Sequence, residues 1–132
     1  HLCSAPKNPP AGLLRSTRFL AENDGMAGLS VQFNPHDGVR IELEDSILRD
    51  CARQDSFFPP LYVQGLEEDS RPAGNLHLKN VTVKDDRDRP VLKIRDPKGH
   101  GLKAVSGEII LDRQGRTETI AIDDAWLETM RE

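Results

Sequence analysis

The densest run of residues able to do chemistry is Lys84, Asp85, Asp86, Arg87, Asp88 and Arg89, in the segment KDDRDRP. Clustered carboxylates offer the hard oxygen ligands that calcium takes, so calcium is the one cofactor this segment suggests. The interleaved cations have the chemistry to pair with uronate or sulfate groups of a polysaccharide. The competing reading is a solvated turn whose opposite charges neutralise one another. A second candidate is RDPKGHG, where Lys98 and His100 sit beside glycines that let them approach a ligand. His100 could act as a base near neutral pH. The plainer reading is an Asp-Pro turn with glycines supplying positive φ.

Other motifs say less. His36 and His77 do not stand at metal-ligand spacing, and two cysteines cannot build a zinc framework, so no His- or Cys-built metal site is expected. The acidic stretch LEEDS (66–70) reads as metal oxygens or as a solvated run. The aromatic run FFPPLY holds Phe57, Phe58 and Tyr62, which form a patch for a sugar or a partner if exposed. If buried, they fold an insertion onto the body. Asn80-Val81-Thr82 fits the N-glycosylation pattern. There is no phosphate-binding loop and no Gly-x-Ser-x-Gly elbow. Catalytic residues therefore stay unassigned.

These residues must be positioned by a small scaffold. The chain has 132 residues, enough for one domain. Its formal charge of −4 argues against a nucleic-acid partner. No run approaches the ~18 to 20 apolar residues of a membrane span. No charged start leads into an apolar run, so no signal peptide is expected here. Opening on His1 rather than Met reads as a processed chain or a fragment. Cys3 and Cys51 either pair, as in an exported protein, or remain thiols.

The apolar residues fall in short alternating runs separated by Gly- and Pro-containing loops, the pattern of many short strands. Phe19, Leu48, Val83 and Leu111 each end one such run and recur at roughly 30 residues. Val31, Val63, Ile94 and Ile122 end a second set of runs at a similar period. A third run precedes each member of the first set, as in VRIEL, LHL and LKAV, with Leu14, Leu43 and Leu78 at one offset. The alternation breaks at Lys79-Asn80, where a bend would return both halves of the strand to one interior. One unit is thus strand, corner, strand, loop, strand, repeated about four times, as in a coiled parallel sheet whose turns stack on one core. An antiparallel sandwich of short strands is the alternative. It requires no such self-similarity.

The segments GNLHLKNVTVKDDRDRPVLKI and GVRIELEDSILRDC resemble rungs of right-handed parallel β-helix, pectate-lyase-like proteins. That fold occurs among polysaccharide lyases, some glycoside hydrolases, sugar epimerases and phage tailspikes. The resemblance spans about residues 13–122 and implies an all-β solenoid of about four rungs. Residues 1–12 read as an extended Pro-rich strap and residues 123–132 as a C-terminal cap, in which Asp123 or Asp124 starts a short helix. Trp126 there is a plug for the last rung or a sugar-stacking platform. The resembled lyases use calcium or basic groups to neutralise a carboxylate, with a base that removes a proton. No family motif maps onto this chain residue by residue.

Two functional readings follow. One is a non-catalytic module, secreted or periplasmic, that binds polysaccharide or a partner. The other is a lyase, hydrolase or epimerase, or the end of one, acting on an acidic glycan through Lys84, Arg87, Arg89 or His100. A missing neighbouring domain or self-association is a further expectation, because a solenoid has open ends.

Overall fold

Apolar and polar residues alternate along the long strands, so each strand has one face to bury. The structure, a computed structural model, describes residues 2–3, 12–22, 25–33, 39–52, 58–65, 75–95 and 105–131. In chain order the strands are β1 (Leu2–Cys3), β2 (Gly12–Thr17), β3 (Leu20–Glu22), β4 (Leu29–Phe33), β5 (Val39–Arg49), β6 (Leu61–Gly65), β7 (Asn75–Lys84), β8 (Leu92–Arg95), β9 (Val105–Arg113) and β10 (Arg116–Ala121). The one helix, α1, spans Asp124–Thr129. This is an all-β protein with parallel sheets and little helix.

There are two sheets. The narrow one has strand order β1-β4-β6-β8, and the broad one β10-β9-β7-β5-β2, with β3 also paired to β5. All pairings are parallel except β9 with β10. From β1 to β9 the chain alternates between the sheets, with β2 and β3 making one visit to the broad sheet. Each strand therefore lies beside the strand of the preceding visit.

The registers pile like residues in columns. Leu48, Val83 and Leu111 align, as do Leu29, Leu61 and Leu92, and Val31, Val63 and Ile94. Both sheets contribute to one buried cluster. Burying each such side chain stabilises by roughly 1.5–3 kcal/mol. The expected column of Leu48, Val83 and Leu111 forms, with one correction. Its first member is Ala21, not Phe19. Likewise Leu14 aligns with Ile41, not with Leu43.

The reason lies at the corner of the broad sheet. Arg18, Asp45 and Asn80 share one register row and all have left-handed backbones, with φ of 57°, 50° and 52°. Ala21, Leu48 and Val83 follow those corners at the same offset. Corner geometry fixes the register, and the greater hydrophobicity of Phe19 does not. The Phe19 amide instead donates to Ser46 Oγ at 3.1 Å. In β9 the corner is crossed with one residue fewer, between Leu78↔Gly107 and Val81↔Ile109. Gly107 has φ +98°, and a Cβ there would lie 2.0 Å from the Leu78 carbonyl oxygen. Only glycine fits.

The fourth repeat ends differently from the expectation. Gln114 (φ 51°) and Gly115 (φ 74°) make a two-residue reverse turn. It folds β10 back antiparallel on β9 at the edge of the broad sheet. Ile122 accordingly does not stack on Ile94. The Ile94 amide donates to the Met130 carbonyl at 2.9 Å, and Ile94 bridges to Arg131. Helix α1 starts as expected: Asp123 Oδ1 accepts from the Trp126 amide at 2.8 Å. Leu127 enters the core, and Trp126 and Met130 pack against it. Cys51 carries a buried thiol, and the side chain of Cys3 lies outside the described residues. The Cys51 Sγ lies 3.6 Å from the carbonyl oxygens of Ala21 and Arg49.

Candidate functional site

The charged loop that follows β7 is a fastening. Asp85 is 3% exposed, and Arg89 grips it with Nε to Oδ2 at 2.7 Å and Nη2 to Oδ1 at 3.1 Å. Arg89 also donates to the carbonyls of Cys51 (2.8 Å), Ala52 (3.0 Å) and Phe58 (3.4 Å). Arg87 donates to the Ala52 carbonyl at 2.7 Å. From the other side, Arg113 donates to the carbonyls of Asp85 and Arg89, each at 2.9 Å. Asp86 Oδ1 accepts from the Gln114 amide at 2.8 Å. The physical cause is the loop after β5. The carbonyls of its buried residues Cys51 and Ala52 require donors, which an arginine fork can supply.

The six candidates of this loop are thus brought together, but largely to hold main chain. Lys84 ends β7, its carbonyl accepting from the Asp50 amide. Asp88 faces solvent. Both Asp85 oxygens face guanidinium groups, so a calcium ion at Asp85 would have to displace Arg89. Among the described residues no three His, Cys, Asp or Glu side chains converge as a metal site. Lys98 and His100 lie outside the described residues, as do His36, Phe57 and the 66–70 acidic stretch.

On the outer face of the broad sheet, Glu42 accepts from Arg15 and Arg40, each at 2.9 Å. The hydrogen bonds of Arg40 and then Arg15 hold its carboxyl below the usual carboxylate range, and Glu42 raises Arg15 in return. In the next strand His77 Nδ1 lies 2.9 Å from Ser106 Oγ. Asn80 Nδ2 donates to Asp45 Oδ1 at 2.8 Å.

The most site-like feature is on the narrow sheet. Because Val31, Val63 and Ile94 point inward, the flanking residues Ser30, Tyr62 and Lys93, with Gln64 and Arg95, belong to the outer face. Over this face lies an open depression of about 400 Å³, lined by Met26, Ala27, Ser30, Phe58, Tyr62, Gln64 and Arg95. Tyr62 is buried, and its ring meets Phe58 edge-on with centroids 5.2 Å apart. The fastening sets two of the walls. Arg89 holds the Phe58 carbonyl, and the Ala52 amide donates to the Met26 carbonyl at 2.6 Å.

Apolar Met26, Phe58 and Tyr62 beside a hydroxyl, an amide and a guanidinium make a mixed lining. It suits a small polar ligand with an apolar face. The aromatic run was visible as a candidate patch, and the structure buries Tyr62 while leaving Phe58 as wall. Ser30, Gln64 and Arg95 were not singled out. Their signal was the outward parity of the residue before or after each inward Val31, Val63 and Ile94.

No described helix is long and apolar enough to cross a membrane. Searched against family models, curated proteins and solved structures, the chain gives no match in any of the three.

Proposed function

We propose that the chain is a non-catalytic polysaccharide-binding module of an exported, secreted or periplasmic, carbohydrate-active protein. Its frame is a right-handed parallel β-helix of the pectate-lyase-like kind. Regular alternation between two parallel sheets supports the coil. Parallel crossovers are right-handed in about 98% of cases, which supports its hand.

The observation that carries the reading is the depression above Tyr62. Its volume of about 400 Å³ suits one or two sugar rings. The C–H face of a sugar would lie on Phe58 and Met26, and its hydroxyls would meet Ser30, Gln64 and Arg95. Binding is favoured over turnover by two features. Asp85, Arg87 and Arg89 are engaged in holding main chain. Among the described residues the lining has no carboxylate and no histidine.

Affinity electrophoresis through gels containing neutral and acidic polysaccharides tests this. The protein should be retarded by at least one. The Gln64→Ala/Arg95→Ala double variant should weaken that retardation by about tenfold or more, equivalent to about 1.4 kcal/mol. No retardation in any gel, or retardation indifferent to the double variant, overturns the reading.

A further inference from the structure

The depression on the narrow sheet is built from two kinds of residue. Ser30, Tyr62, Gln64 and Arg95 stand on β4, β6 and β8, where parallel register fixes their places. Met26 and Phe58 precede β4 and β6 and belong to no strand. The ladder reaches the Pro60 carbonyl, which accepts from the Leu29 amide at 3.1 Å, and stops short of Phe58. Strand pairing therefore places the polar residues. The apolar walls need another support.

That support leads back to Arg89. Its guanidinium reaches both ends of the connection from β5 to β6. At the exit it donates to the carbonyls of Cys51 and Ala52, at 2.8 and 3.0 Å, and at the return to that of Phe58 at 3.4 Å. Cys51 and Ala52 in turn carry the other wall. The Ala52 amide donates to the Met26 carbonyl at 2.6 Å. Gly28 packs so closely that a Cβ there would lie 2.6 Å from the Cys51 Sγ. Behind the guanidinium, both Asp85 oxygens accept from it, and Arg113 donates to the carbonyls of Asp85 and Arg89.

We propose that Arg89 is a positioning residue for this site, fixing the Met26 and Phe58 walls between which the apolar face of the ligand is held. Arg89 is not itself part of the lining. The inference rests on the reading of the depression as a sugar site for the identity of that ligand. Walls held in place beforehand lose less affinity to ordering when the ligand arrives. A lysine cannot take over the task. Its ammonium is a single point with three donors, whereas the guanidinium spreads five over a planar fork. Here that fork serves one carboxylate and three carbonyls at once.

Tyr62 reports on the walls. It is the chain's one tyrosine, and its ring meets Phe58 edge-on at 5.2 Å. Any displacement of Phe58 changes the ring-current field at Tyr62, so ring-labelled tyrosine gives a single NMR signature. Arg89→Lys should move those signals. It should also weaken retardation by the polysaccharide that retards the parent, by about threefold or more. Ile110→Ala is the control for lost stability, on the outer face of the broad sheet between buried Ile109 and Leu111. It should lower the thermal midpoint, yet leave the Tyr62 signals and the retardation as in the parent. If Arg89→Lys does not fold, Asp85→Asn, which removes the charge and keeps the shape, loosens the same grip and replaces it. Unmoved Tyr62 signals overturn the proposal, and so does retardation equal to that of the parent. An Ile110→Ala variant that changes both as much also overturns it. If no gel retards the parent, the sugar reading fails instead, and the Tyr62 signals alone decide whether Arg89 places the walls.

Discussion

Arg89 closes on Asp85 with two hydrogen bonds, of 2.7 and 3.1 Å, while the same guanidinium donates to three carbonyls of residues 51–58. One side chain thereby ties the turn after β7 to the loop after β5. Removing one partner of a buried pair leaves the other uncompensated, which costs about 3–5 kcal/mol. Asp85→Ala should lower the unfolding free energy by that amount in urea titrations. Arg89→Lys, which keeps the charge and loses the fork, should also destabilise, but less. Asp88→Ala, on an exposed residue of the same loop, should stay within about 0.5 kcal/mol.

The register can be tested by truncation. Leu48 is fully buried in the column, whereas Phe19 lies off it and 37% exposed. Leu48→Ala should cost about 2–5 kcal/mol. Phe19→Ala should cost under about 1.5 kcal/mol, despite removing the larger side chain. Equal costs would restore Phe19 to the column.

Two glycines with positive φ separate space from strain. At Gly107 both objections to a side chain apply, because a Cβ would meet the Leu78 carbonyl. At Gly115 nothing lies within 4 Å. Gly115→Ala should cost about 1 kcal/mol, from the backbone alone. Gly107→Ala should cost clearly more, about 3 kcal/mol or above, since the β7–β9 pairing must part. Chemical denaturation of the two variants side by side gives the answer.

Glu42 supplies a pH signature. Its carboxyl is held below its ordinary value of 4.5 by hydrogen bonds from Arg40 and then Arg15. A depressed folded-state value means that this stabilisation is complete above the ordinary value and is lost as pH falls through the folded one. Glu42→Gln should therefore be less stable than the parent at pH 7. The gap should close as pH drops below about 4.5. Unfolding midpoints from pH 7 to pH 3 report it, and added salt should narrow the gap because the two arginine partners are exposed.

Much of this fold was legible because period and parity agree. Leu48, Val83 and Leu111 stand at matched places in strands that alternate, and so do Val31, Val63 and Ile94. The bend at Asn80 was visible as a break in that alternation. Ala21 was passed over because a small residue gives a weak apolar signal beside Phe19. The reversal of β10 was hidden because Ile120 and Ile122 alternate as the narrow sheet's strands do. Its only local cue was Gln114-Gly115. The site was harder to read. Arg89 finds its carbonyl partners more than thirty residues earlier in the chain. A run of charges cannot disclose that, and it looks the same whether it binds a ligand or a backbone. The depression needs Met26, Ser30, Phe58, Gln64 and Arg95 from separate segments, and the strand registers together with the Arg89 and Ala52 hydrogen bonds bring them side by side.

The turn at Gln114-Gly115 gives the architecture a stopping point. Successive layers repeat one pairing, so a duplicated segment inserted between β5 and β9 would meet a template above and below and could be absorbed as an extra layer. Past β9 no such template exists, because the reversed strand occupies it. Lengthening by internal duplication and lengthening beyond the hairpin are then unequal operations, and a designer wishing to tune the height of this protein should cut within the repeats.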